Sequence, residues 1–391
     1  MAKNNFPLEK IGCLQTPFYF YDTELLRKTV QTAVTEANRY GYHLHYAVKA
    51  NNNPQILSII REYGMGADCV SGGEIRAALK AGFPADKIVF AGVGKADWEI
   101  NLGLENNIFC FNVESLPELE IINELAGKQG KTARIALRVN PEVDAHTHHH
   151  ITTGTKENKF GINLEHLDMI LDHLPLLPSI EWIGLHFHIG SSITTQEPFR
   201  QLCLRWNEIQ ENLAKRNVRV PVVNFGGGLG IDYYEPDAHP VPDFKSYFEV
   251  FQKYAQTYPG QQVHFEPGRS IVGQCGNLIS QVLYVKEGSD KKFAILDAGF
   301  TELIRPAMYD AHHKIENLTS DKPEEVYDVV GPICESSDCF AKQIPLNRTQ
   351  RGDVVAIRSA GAYGEVMASQ YNSRQLPASY FSETLISGAN S

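Results

Sequence analysis

The sequence predicts an α/β protein: a (β/α)8 barrel of the TIM type plus a C-terminal all-β domain that also takes up the N-terminal segment. Three observations predict it. Eight short β-rich runs lie between residues 43 and 268, and helical patterns alternate with most of them. After about residue 271 strand-like runs continue without regular helices between them. Polar residues collect at the C-terminal ends of the eight runs, the rim that carries active sites in such barrels. The expected division is 24–271 for the barrel, and 1–23 with 272–391 for the β-domain. An open doubly wound sheet is the alternative for the same alternation.

The eight runs are HLHYAV (43–48), MGADCV (65–70), KIVFAG (87–92), NIFCFNV (107–113), ARIALRVN (133–140), EWIGLHFHIG (181–190), PVVNFGGG (221–228) and QVHFEPG (262–268). Ile56, Ile59, Ile60 and Tyr63 fall at i, i+3, i+4, i+7 and predict a helix after the first. GGEIRAALKAG (72–82) repeats the pattern, and SLPELEIINELAGKQG (115–130) opens on a Ser cap and stops at Gly. Longer helices are expected within 195–214 and 243–257. Beyond the barrel, NLISQVLYVKEG, KKFAILDAG, EEVYDVVGPICES and GDVVAIRSAGAYG read as strands. TPFYFYD (16–22) also reads as a strand and is expected to join their sheet.

The 391 residues are 43% hydrophobic and 21% charged, which allows a large core. The net charge of −10 argues against a nucleic-acid partner. The N-terminus MAKNNFPLEK lacks a secretory apolar stretch, and no apolar run suits a membrane span. Seven scattered cysteines without a CxxC pair fit a reduced, cytoplasmic protein better than a disulfide framework.

Lys49 follows the first run and is the only charged residue in HLHYAVKANNNP. Exposure at a strand end is the plain reading; the other rim residues argue for chemistry. Asp68 lies near the end of the second run and Arg138 of the fifth, while His188 and Ser191 follow the sixth. GGGLG (226–230), with Gly227 and Gly228, follows the seventh, and EPGR (266–269), with Gly268 and Arg269, ends the eighth. A lone glycine triplet is usually a tight turn. After strands seven and eight of a barrel it becomes a phosphate cradle, because glycine lets backbone N–H groups approach an anion. Glu266 is placed to pair with a protonated ring nitrogen, and the imidazole of His188, sharing a strand face with His186, can stack on a flat ring. A lysine, a phosphate cradle, a carboxylate and an imidazole together describe pyridoxal 5′-phosphate. The HTHHH run (146–150) raises a metal reading, but no Cys or carboxylate set at metal spacing accompanies it.

YAVKAN, GADCVSGGE, HFHIGS, GGGLG, EPGR, GPICESSD and GAYG together resemble the fold-type III pyridoxal-phosphate-dependent decarboxylases, over nearly the whole chain. The branch most similar acts on meso-2,6-diaminopimelate and yields L-lysine and carbon dioxide. The resemblance implies a homodimer with active sites at the subunit interface. It matches Lys49 to the cofactor's lysine, His188 to the stacked histidine and Glu266 to the ring-nitrogen partner. Ser191, Gly227, Gly228, Gly268 and Arg269 match phosphate-binding segments, Arg269 also reaching the substrate carboxylate. Asp68 and Arg138 match supporting residues, and Tyr363 a tyrosine at cofactor and substrate. Cys334 matches a proton donor that, with Glu335, completes the partner subunit's site. Arg305 and Tyr309 match substrate-contacting positions.

Ornithine decarboxylases usually carry aspartate where Glu335 stands. Arg305 and Glu335 suit the second amino-acid head of diaminopimelate, whereas an arginine facing ornithine would be left unpaired. Ser337 replaces the glycine of the more familiar CESGD. HTHHHITTG and NKFGI (158–162) also resemble the diaminopimelate branch. The alternatives are decarboxylation of ornithine or arginine, a racemase on a similar barrel, a non-catalytic regulatory relative, and a pyridoxal-phosphate carrier.

Overall fold

Four aromatic residues in a row, Phe18–Tyr21, form the first strand (β1), and all four are buried. The computed structural model describes residues 6–143 and 159–387. Backbone contacts divide the chain into two units: Val30–Gly230 with Asp243–Ile271, and the remainder, which contains Ile231–Pro242 besides the two chain ends. The sequence gives no sign that 231–242 leaves the barrel.

In the first unit, His43–Ala47 (β2), Gly66–Cys69 (β3), Ile88–Phe90 (β4), Cys110–Val113 (β5), Ala133–Asn140 (β6), Ile180–His186 (β8), Val222–Asn224 (β9) and Gln262–Phe265 (β10) pair in parallel, in the order β5-β4-β3-β2-β10-β9-β8-β6. A further β5–β6 pairing closes the ring, so the barrel, not an open sheet, is formed. Ile162–Asn163 (β7) adds two residues beside β6. The expected helices are Pro54–Glu62, Gly72–Lys80, Leu116–Lys128, Glu197–Lys215 and Phe244–Tyr254. Ser71, Ser115 and Asp243 cap three of them by accepting backbone N–H groups, each worth about 1 kcal/mol.

The apolar core lies between strands and helices. Phe225 and Phe265, which follow or end β9 and β10, meet Phe251 with ring centroids 4.9 and 4.7 Å away, and Trp206 is fully buried beside them. The inside of the ring is polar instead of branched and apolar, the usual filling. His45, Asn112, His186, Asn224, His264 and Glu266 are all buried there, and hydrogen bonds link them across the strands.

In the second unit, Gly276–Glu287 (β11), Lys292–Leu296 (β12), Ile315–Asn317 (β13), Glu324–Val330 (β14), Cys339–Asn347 (β15) and Val354–Ile357 (β16) run in the order β13-β16-β11-β12-β14-β15. β1 joins this sheet antiparallel to β11, with Phe18 opposite Ile279, and parallel to Ala378–Phe381 (β17). The N-terminal segment is thus part of the C-terminal sheet. β13, β15 and β17 are additions to the sequence reading. β15 reads CFAKQIPLN, too polar and interrupted by Pro345 to announce a strand. Among the described residues no helix is long and apolar enough to cross a membrane, and all seven cysteines are free. The His146–His150 run and ITTG lie outside the described residues.

Candidate active site

β2 stops at Ala47, and Lys49 stands in a 3-10 turn, Val48–Ala50, beyond its end. The three asparagines that follow fix this turn. Asn51 is buried, its carbonyl accepts the Tyr46 hydroxyl at 2.9 Å, and its side-chain oxygen accepts the Asn53 N–H at 2.9 Å. Asn53 then caps the Pro54–Glu62 helix, accepting the Gln55 N–H at 3.1 Å, with Pro54 in the first turn where no N–H is needed. The lysine is therefore held between a strand end and a capped helix. Its ammonium charge acts on Asp68, Glu74, His188 and Glu266.

Glu266 leaves β10 into the ring and is 6% exposed. Asn112 and Asn224 donate side-chain N–H groups to its Oε1 at 3.2 and 2.7 Å, and His186 Nε2 lies 2.8 Å from its Oε2. Burial opposes its ionisation, but the His186 imidazole and the Lys49 ammonium outweigh burial and hold the carboxyl well below the usual range. Asp68 goes the other way. Burial, then the Glu266 charge, push it well above the usual carboxylate range, against Lys49 and Arg138. Of the two buried carboxyls, Glu266 is the anion.

His188 is buried, and burial, with the charges of Lys49 and Arg138, keeps its imidazole well below the usual histidine range. Its Nδ1 accepts the Gly227 N–H at 3.4 Å. A neutral, flat ring thus faces the glycine loop. A Cβ on Gly227 would stand 2.4 Å from the Glu266 carbonyl oxygen, so only glycine allows this approach. Gly228 accepts the Ile193 N–H, and Pro267, before Gly268, accepts the Ala47 N–H. Arg269 Nε and Nη2 donate to Ser191 Oγ at 3.2 and 3.1 Å, and Arg269 is 6% exposed. Arg138 donates to Glu114 Oε1 at 2.8 Å and lies over the Phe160 ring. Glu114 also accepts the N–H groups of Gly92 and Gly161, which ties Gly161 of NKFGI to the rim; Asn158 lies outside the described residues. The barrel thus brings Lys49, Asp68, Arg138, His188, Ser191, Gly227, Gly228, Glu266, Gly268 and Arg269 to one end of its ring.

The other sequence candidates belong to the second unit. Cys334 and Glu335 lie in the loop between β14 and β15, and both are exposed in the single chain. Asp338 anchors that loop: its carboxylate accepts the Phe300 and Ile333 N–H groups, each at 2.7 Å. A Cβ on Gly331 would come 2.3 Å from the Asp338 carboxylate, which explains the glycine of GPICESSD. Tyr371 donates to Glu335 at 2.8 Å, and Ser337 is exposed, so the serine is accommodated at no steric cost. Arg305 is buried, donates to His313 Nε2 at 2.8 Å and lies over the Tyr233 ring at 5.0 Å. Tyr309 ends the same short helix and is half-buried. Tyr363 is half-buried at φ 57°, a left-handed conformation uncommon outside glycine.

The barrel residues fit pyridoxal phosphate. An amine for its aldehyde, a buried carboxylate for its ring nitrogen, a neutral imidazole for its face and a glycine loop with an arginine for its phosphate are all present. Residues 24–273 match the family "Pyridoxal-dependent decarboxylase, pyridoxal binding domain". A diaminopimelate decarboxylase of Bacteroides thetaiotaomicron is 62% identical over 385 residues, 98% of this chain and all of that relative. Among solved structures, diaminopimelate decarboxylase from Helicobacter pylori complexed with L-lysine is 40% identical with a TM-score of 0.88, covering 95% of this chain and 93% of that one. The enzyme from M. jannaschii in co-complex with L-lysine is 34% identical with a TM-score of 0.89, covering 98% and 91%. By fold, motif and sequence alike, the chain belongs to the diaminopimelate decarboxylase family of pyridoxal-dependent decarboxylases.

Proposed function

We propose that the rim residues of the barrel and the Cys334–Glu335 loop divide between them the decarboxylation of meso-2,6-diaminopimelate to L-lysine and carbon dioxide, the last step of lysine biosynthesis. The observation that carries this reading is Glu266, buried in the ring at the end of β10 with Asn112, Asn224 and His186 hydrogen-bonded to its carboxylate. When bound, pyridoxal phosphate supplies the electron sink for the bond to the departing carboxylate.

Lys49 supplies the amine that holds the cofactor and gives way to the substrate's own amine. Glu266 keeps the ring nitrogen protonated. His188 supports the ring face, while Gly227, Gly228, Gly268, Ser191 and Arg269 receive the phosphate. Asp68 and Arg138 shape the surrounding charge. Arg269 and Tyr363 orient the reacting end of the substrate, and Arg305, Tyr309 and Glu335 receive its second amino-acid head. Orientation by these residues would select which bond at Cα breaks. Carbon dioxide then leaves without its electron pair, and the Cys334 thiol delivers the proton that Cα requires.

Cys334 and Glu335 are exposed in the single chain, which supports a homodimer in which each loop serves the partner subunit. The proposed domain boundaries are 24–271, and 1–23 with 272–391. The reading places the enzyme in the cytoplasm, with neither nucleic acid nor membrane as partner.

Product analysis tests the function. The protein is incubated with pyridoxal phosphate and, separately, meso-diaminopimelate, ornithine and arginine. Lysine and carbon dioxide from the first alone are expected. Carbon dioxide from ornithine or arginine instead would overturn the substrate, and inverted diaminopimelate without carbon dioxide would make the protein a racemase.

A further inference from the structure

Glu266 receives its donors from three separate strands: Asn112 on β5, His186 on β8 and Asn224 beyond the middle of β9. A carboxylate has about four lone-pair positions. Both amides lie on Oε1 and the imidazole on Oε2, so the described residues occupy three of the four and leave the last on Oε2. A carboxylate only accepts, so His186 carries its proton on Nε2. Its Nδ1 is buried and has no hydrogen-bond partner among the described residues, so no second hydrogen bond competes for the ring's orientation. All four residues are nine-tenths or more buried, out of reach of bulk water.

We propose that His186, Asn112 and Asn224 are positioning residues that hold Glu266 ionised and aim its remaining lone pair at the cofactor's ring nitrogen. The ring proton is then set by the barrel strands and not by solvent. The inference rests on Glu266 being the ring-nitrogen partner, and deepens that reading by naming what makes the carboxylate fit for it. Removing any one donor leaves a buried carboxylate less stabilised. It then takes a proton more readily, or turns away from the ring. Asp68 does not substitute, because burial and the Glu266 charge favour its protonated form.

The test uses the holoenzyme reconstituted with pyridoxal phosphate carrying 15N in its ring, whose nitrogen chemical shift reports protonation directly. Wild type is expected to show a protonated ring nitrogen at neutral pH. His186→Leu, which lacks a donor, is expected to lose that signal wholly or in part, to hold the cofactor about 10-fold more weakly or worse, and to lose turnover by a similar factor. His186→Gln, which keeps an N–H near the same place, is expected to restore the protonated signal. Asn112→Ala, the mildest deletion, carries the same expectation as His186→Leu and decides the matter if the latter does not fold. Glu266→Gln is the control. Should Glu266→Gln lose the signal while His186→Leu and Asn112→Ala keep it as in wild type, the positioning role is wrong and the Glu266 reading stands. Should Glu266→Gln keep it, Glu266 is not the partner and the proposal falls with that reading.

Discussion

The barrel rim and the loop between β14 and β15 solve opposite problems. At the rim three charged groups are held by others of the same chain: Glu266 by two amides and an imidazole, Arg138 by Glu114, Arg269 by Ser191. The loop is pinned at its base by Asp338, touches Tyr371 and Asn372 through Glu335 and the Cys334 N–H, and presents Cys334 and Glu335 to solvent. A single chain thus holds its rim charges internally but leaves Cys334 and Glu335 uncovered. The difference teaches that the two regions are built separately, so under the proposed division of binding and protonation substitutions should separate them.

The largest effect is expected at the rim. Lys49→Ala should lower turnover by about 10⁴-fold or more, because it removes the amine proposed to hold the cofactor. Cofactor-dependent visible absorbance should vanish with it; a yellow, active variant would break the assignment. Cys334→Ala should leave the cofactor bound and the melting temperature near wild type, since an exposed side chain contributes little to stability. Its turnover should fall by about 10²- to 10³-fold, the usual share of a proton donor. Equal loss of cofactor in both variants would erase the distinction between the regions.

Asp338→Ala sharpens it. One buried and one part-buried N–H lose their acceptor, the buried one at about 1–3 kcal/mol, and denaturant unfolding should show the loss. Turnover should drop while cofactor affinity stays, because the loop and not the ring is disturbed. The smallest effect concerns the ring alone. Burial holds His45 down to about 4, whereas the unfolded chain titrates it near ~6.5. The unfolded state therefore binds more protons between these values, and stability falls as pH drops through that window. Going from about pH 8 to about pH 5 should cost about 2 kcal/mol from this group. His45→Gln should flatten that slope, measured as unfolding free energy against pH.

Much of this was legible in the sequence because the rim residues sit at strand ends, where a barrel reading gives each a place. Lys49, His188 and Glu266 could be singled out on position and residue type. Asn112, Asn224 and Glu114 could not, since buried polar residues inside apolar runs look like ordinary strand residues. The signal was present in the two-residue period: Asn112 precedes Glu114, and His186 precedes His188, on the same face. The Asn51–Asn53 run needed three-dimensional partners, a tyrosine hydroxyl and a helix end, to reveal that it fixes the lysine's turn. Residues 231–242 read as a barrel connection, yet they pack with the β unit, where Tyr233 lies under Arg305 and Asp237 pairs with Arg358. Pairings that distant in sequence leave no local trace.

The central claim is that one chain's Lys49 works with its partner's Cys334, and a mixed dimer tests it most directly. Lys49→Ala and Cys334→Ala proteins, each nearly inactive, are unfolded together, refolded and assayed. Random pairing in a two-fold dimer makes about half of the molecules mixed, each with one intact site, so activity should recover to about a quarter of wild type. Recovery no greater than the sum of the two variants would contradict the claim and place both residues in the same subunit's site.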